Sequence, residues 1–176
     1  AFAFFCMGQA KEKPTNFVVF LTDDLGWGDL ACYGHPVIQT PHLDKFAKQG
    51  MRFTQSYSAC GVCSPSRSSI LTGRTPYRNG VWRWIPGGHQ VHLRTSEITS
   101  AELLKEKGYE TCHVGKWHLN GKFNSKDQPQ PDAHGFDHWM ATQNNAAPNH
   151  RNPRNFVRNG EEVGELKGYS APLVVE

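Results

Sequence analysis

Cysteine is scarce. The 176 residues hold five, at 6, 32, 60, 63 and 112, with irregular spacing. That is compatible with an odd disulfide but not with a disulfide-built scaffold, and the lack of a repeated C-x-x-C pair argues against a structural zinc site. Charge of one sign is lacking too. The formal charge is +3, and the basic residues come singly (Arg52, Arg67, Arg74, Arg78, Arg83). Such a distribution fits discrete anion contacts or an ordinary solvated surface, and gives no stripe for a nucleic acid to follow. No apolar run is long enough to span a bilayer, and there is no internal repeat, heptad or low-complexity tract. What is present is a polar, loop-rich chain, 38% hydrophobic with 17 glycines and 11 prolines. Its length suits one core of ordinary size.

The first ten residues, Ala1 to Ala10, are apolar, end in small side chains and give way at once to Lys11-Glu12-Lys13-Pro14. They read as the tail of a secretory signal peptide, or else as an unstructured scrap. The first reading implies an exported protein: periplasmic, secreted or in a lysosome-like compartment.

Beyond them the pattern is α/β. Asn16 to Thr22 is a continuous apolar, β-rich run, predicting a strand buried on both faces as in a parallel sheet. It ends in Asp23-Asp24-Leu25-Gly26-Trp27-Gly28-Asp29. Adjacent carboxylates at a strand end are a solvated turn or a site for a hard cation, Ca²⁺ or Mg²⁺ rather than zinc. Thr40-Pro41 opens a helix closed by Gly50, and Met51 to Tyr57 reads as a short strand. Arg78 to Arg94 reads as a long loop. Thr99-Ser100-Ala101-Glu102 is a capping box starting a helix. Tyr109 to Val114 reads as a second strand, delivering Gly115-Lys116-Trp117-His118 to the same sheet edge as the two aspartates. His134 to Trp139 is an aromatic cluster suited to packing, and Arg158-Asn159-Gly160-Glu161 signals a hairpin turn.

The densest chemistry is Cys63-Ser64-Pro65-Ser66-Arg67, continuing to Thr72-Gly73-Arg74. Ser64 suits an N-cap, Pro65 the first helical position and Gly73 a left-handed exit. Cys63 is thereby expected just outside a helix N-terminus, where an anion is favoured, with Arg67 one turn inside. An ordinary helix after a buried cysteine, or a redox pair formed with Cys60, fits these residues as well.

Taken together, these stretches resemble the type I sulfatases of the alkaline-phosphatase-like superfamily. The matching motifs, in chain order, are Asp23 to Asp29, Thr40-Pro41-His42-Leu43-Asp44, Arg52-Phe53-Thr54, Cys63 to Arg74 and Gly115 to His118, with Gly168-Tyr169-Ser170 near the end. The resemblance covers roughly residues 14 to 176 and implies an alkaline-phosphatase-like α/β fold: a mixed or parallel sheet flanked by helices, here as the N-terminal portion of a longer catalytic domain. It implies sulfate ester hydrolysis by a Cα-formylglycine made from Cys63 by a formylglycine-generating enzyme. One hydroxyl of its hydrate attacks sulfur and the other expels sulfate. By the same resemblance Asp23, Asp24 and the modified Cys63 hold calcium, with magnesium second. Arg67 braces the formylglycine and metal, Lys116 contacts sulfate oxygens, and His118 orients the hydroxyl that triggers elimination. The substrate implied is a sulfated small molecule or carbohydrate. Phosphate or phosphonate monoester hydrolysis, and an inactive truncated remnant, are the alternatives.

Overall fold

The computed structural model describes residues 14–175, so the apolar segment 1–10 lies outside it. The chain divides after Gly50 into two compact units. In the first, the run from Asn16 to Thr22 has no regular secondary structure and joins no sheet among the described residues, and Phe17, Val18, Val19 and Phe20 are exposed. The expected doubly buried strand is thus corrected to an exposed segment without regular secondary structure. An unbroken apolar run encodes burial on both faces, but it cannot supply the neighbouring strands that provide it. Helix α1, Pro41–Gln49, begins at Thr40-Pro41 as expected. The Thr40 hydroxyl accepts from the Ala31 amide at 3.0 Å and donates to Asp44 Oδ1 at 2.8 Å. Asp44 Oδ1 also accepts from the Cys32 amide at 2.9 Å, which fastens the short 3₁₀ turn Ala31–Tyr33 to the helix.

The second unit holds the core. Its helices are α2 (Cys63–Thr72), α3 (Pro76–Asn79), α4 (Ser100–Glu106) and α5 (Ser170–Leu173). Its strands are β1 (Cys112–Lys116), β2 (His138–Thr142), β3 (Val157–Arg158) and β4 (Glu161–Glu162), in that spatial order. β1 and β2 are parallel, pairing Cys112 with His138 through Lys116 with Thr142, whereas β2–β3 and β3–β4 are antiparallel. The sheet is mixed, as a fold of this class allows. The Asn-Gly turn forms as read: Asn159 and Gly160 both have positive φ, 49° and 91°, the combination that matches strand twist in a two-residue hairpin.

Three expectations are corrected. Met51 to Tyr57 forms no strand; Met51, Phe53 and Tyr57 are exposed and no partner strand lies beside them among the described residues. The second strand starts three residues later than read, at Cys112. The long loop is not wholly irregular. Its first residues complete α3, and His92 forms an antiparallel bridge with Asn120. Of the two polar clusters expected at one sheet edge, only the Lys116 side is carried by the sheet.

The core of this unit gathers Val81, Ile85, Leu93, Ala101, Trp117, Leu119, Phe136, Trp139, Ala141 and Val157. The capping box of α4 is fully made, Thr99 Oγ1 accepting from the Glu102 amide and the Glu102 carboxylate from the Thr99 amide. The buried Thr99 hydroxyl also donates to the His134 carbonyl at 2.8 Å, tying α4 to the turn Pro131–His134. Gly135 sits against this helix start with φ of 90°, where a Cβ would come within 2.6 Å of the Glu102 amide. The aromatic cluster packs as expected: His113 lies 5.2 Å from Trp117 and 5.3 Å from Phe136, ring centre to ring centre, and His134 lies 5.7 Å from Trp117. Burial pushes both imidazoles down to about 4, with the Arg67 charge adding to the effect at His113. No helix among the described residues is long and apolar enough to cross a membrane.

Replacing Thr99 by Ala removes the cap and the link to His134, and should lower unfolding free energy by about 1–2 kcal/mol in urea titrations. A second outcome concerns pH. In the unfolded chain the two imidazoles titrate near about 6.5, so between that pH and about 4 the unfolded chain binds more protons than the folded one. Stability is therefore full above that window and falls as pH drops through it. The Lys105 ammonium and Thr111 hold the Asp137 carboxyl down to about 2, so its loss enters only at lower pH. The urea midpoint should fall from pH 7 to pH 5, and His113→Phe should flatten that dependence by roughly half; a midpoint flat across the window contradicts the assignment.

Candidate active site

Helix α2 sets the site. Val62 is its N-cap, with extended backbone, so Cys63 is the first helical residue rather than the residue before the helix. Ser64 is not the cap because its hydroxyl is used elsewhere: it is fully buried and accepts from the Ile85 amide at 3.2 Å. Gly73 ends the helix in the left-handed conformation as expected. Cys63 is half-buried, at a helix end that favours negative charge.

The four side chains singled out for catalysis are all placed by this unit. Arg67, one turn into α2, donates from Nη1 to the Lys116 carbonyl at 2.6 Å, joining the helix to the end of β1. The Lys116 ammonium lies 3.3 Å from Cys63 Sγ and 3.4 Å from Asn145 Oδ1. His118, two residues on, is fully buried with φ of 56°. Its Nε2 is 3.0 Å from the Ile85 carbonyl. A carbonyl only accepts, so Nε2 carries the hydrogen of this bond. The Trp84 ring stands 5.3 Å from the imidazole at 85°, the edge-to-face geometry favoured by aromatic quadrupoles.

Asp23 and Asp24 belong to the first unit, and both are exposed. Asp24 has φ of 55°, a conformation that aspartate adopts more readily than most residues. Adjacent carboxylates are hard oxygen donors, and the pair fits Ca²⁺ or Mg²⁺ on donor chemistry. Asp29 is occupied in its own turn, accepting from the Gly26 amide at 2.6 Å.

Several contributors carried no sequence signal. Ile85 offers only backbone groups, bonded to Ser64, His118 and Gln143. Glu97, 3% exposed, is clamped between Arg74 at 2.7 Å and Arg94 at 2.8 Å, so the arginine of the Thr-Gly-Arg extension braces the scaffold. Asn79 is fully buried and ties Ser68 to the Val81 amide. Spacing along the chain gives no hint of these partners; a buried Asn before Gly80 and a lone Glu between arginines are the only traces. Cys60 and Cys63 are both free thiols here.

A family model described as Sulfatase matches residues 15–172. An N-acetylgalactosamine-6-sulfatase of Rattus norvegicus is 44% identical over 146 residues, which is 78% of this chain and 27% of that protein. An N-acetylgalactosamine-6-O-sulfatase of Bacteroides thetaiotaomicron is 40% identical over 163 residues, 89% of this chain and 31% of that one. Among solved structures, BT4656 in complex with its substrate D-glucosamine-2-N,6-O-disulfate superposes with a TM-score of 0.66 at 30% identity, covering 86% of this chain and 27% of that chain. The chain thus spans about a third or less of the length of these relatives. On the match across residues 15–172 and these identities, the chain belongs to the sulfatase family, with its alkaline-phosphatase-like α/β fold.

Proposed function

We propose that the protein carrying this chain hydrolyses sulfate esters of carbohydrates, with Cys63 converted to Cα-formylglycine by a formylglycine-generating enzyme during maturation. The observation that carries the reading is the Lys116 ammonium 3.3 Å from Cys63 Sγ at the start of α2. A helix N-terminus and an ammonium meet at the position from which the nucleophilic oxygen would come. Family membership and the sulfated sugars named for the relatives support the substrate class.

In this reading each residue has one task. Asp23, Asp24 and the modified residue 63 hold a calcium ion, which as a Lewis acid lowers the cost of an anionic oxygen there. Arg67 holds the Lys116 carbonyl and with it the geometry between helix and strand. Lys116 pairs with the sulfuryl oxygens as they gain charge. His118, with Nε2–H committed to the Ile85 carbonyl, takes up the hydroxyl proton at Nδ1 when sulfate is expelled. The apolar segment 1–10 supports export, and residues 14–176 are read as the N-terminal portion of the catalytic domain.

In the full-length protein, Cys63→Ala should abolish sulfatase turnover while the melting transition is kept; full residual activity would refute the nucleophile. The peptide spanning residues 52–74 should show by mass the loss expected for an aldehyde in place of the thiol when the protein is made in a modifying host. Asp24→Ala should weaken calcium binding by about tenfold or more in calorimetric titration, and an unchanged affinity removes Asp24 from the metal site.

A further inference from the structure

Residues 81–85 form a short arch in contact with Ser64 and His118 of the candidate site. Its feet, Val81 and Ile85, are fully buried, while Trp82, Arg83 and Trp84 between them face solvent, the two tryptophans 55% and 41% exposed. The feet are bolted down. The Val81 amide donates to Asn79 Oδ1 at 3.0 Å and the Ile85 amide to Ser64 Oγ at 3.2 Å. The Ile85 carbonyl takes His118 Nε2 at 3.0 Å and Gln143 Nε2 at 3.3 Å. Ser64 is the neighbour of Cys63, so the arch is wired directly to the proposed nucleophile and the proposed proton acceptor. Trp84 makes that link through its side chain as well, 5.3 Å from the His118 ring. At the outer end, the Arg83 guanidinium lies 5.8 Å from the Trp82 ring centre, and no ion pair claims it among the described residues.

Holding two tryptophans in water on a rigid base is unfavourable in this chain, because each ring forgoes much of the area it would otherwise bury. A ligand that covers both and brings a negative charge to Arg83 recovers that loss at little ordering cost, since the backbone is already fixed. A pyranose offers a flat C–H face to an aromatic ring, and a sulfate or carboxylate on it offers a partner to a guanidinium. We propose that Trp82, Arg83 and Trp84 form a subsite for the sugar unit next to the one that is desulfated, and that this neighbouring unit carries an anionic group. The inference rests on the carbohydrate sulfatase reading and extends it from one sugar to two.

The test uses the full-length protein with Cys63→Ser, so that ligands persist, and calorimetry with three disaccharides. Each has a 6-O-sulfated amino sugar joined to a neutral hexose, a uronic acid or a sulfated hexose. The subsite predicts about tenfold tighter binding for an anionic neighbour than for the neutral one. Arg83→Gln should erase that preference, and Trp82→Ala should weaken all three by about tenfold. A preference that survives Arg83→Gln, or no preference in the parent, overturns the subsite. Turnover of a 6-sulfated monosaccharide by the protein with Cys63 intact separates the two claims. Turnover without the anion preference sinks the subsite alone; the preference without turnover leaves an anionic-sugar site and sinks the reaction.

Discussion

One bond organises the second unit: Arg67 Nη1 to the Lys116 carbonyl, 2.6 Å, between the first turn of α2 and the last residue of β1. It fixes the strand end against the helix end, and from it the placement of Cys63, Lys116 and His118 follows. A guanidinium donating to a backbone carbonyl is a charge-assisted bond whose donor cannot titrate away. The strand end is held in turn by the parallel pairing of β1 and β2, which reaches Lys116 and Thr142, and by the Trp117 amide donating to the Thr142 carbonyl at 2.9 Å. The buried His113, neutral through burial and the nearby Arg67 charge, fills the space behind the strand with Trp117 and Phe136.

The sequence showed what is local and hid what is not. Pro65, Gly73, the Thr99–Glu102 capping box and the Asn159-Gly160 turn each carry their signal within a few residues, and each forms. Ser64 was misread for the same reason in reverse. A serine ahead of Pro65 is locally an N-cap, but its hydroxyl is claimed by an amide 21 residues away, and the cap moves back to Val62. Glu97 between Arg74 and Arg94, and Ile85 beneath His118, are contacts between segments that only folding brings together. The motifs of the site could be read because one family repeats them in order, and the physics of any one of them alone left an ordinary helix or a redox pair equally open.

The run Phe17 to Leu21 marks the other limit. Its composition specifies a strand with neighbours on both sides and layers above and below, and the described residues furnish neither. Periodicity reports the surroundings a segment is suited to, and says nothing of whether they are present. The same holds for the acidic pair that follows it. Asp23 and Asp24 are exposed and like-charged, an arrangement that costs little in water and turns favourable only opposite a cation.

The two cations of the second unit are held so differently that they suit different work in the proposed reaction. Arg67 is pinned by a short bond to backbone, and its planar fork leaves little freedom to follow a ligand. Lys116 reaches 3.3 Å to Cys63 Sγ and 3.4 Å to Asn145 Oδ1 through a flexible stem with three rotatable donors. The arginine therefore sets the frame, and in the proposed reaction the flexible lysine stem lets the ammonium follow the sulfuryl oxygens as charge builds on them. A pairing that strengthens as charge develops favours the transition state over the ground state, which is the condition for a charged side chain to speed a reaction instead of only binding its substrate.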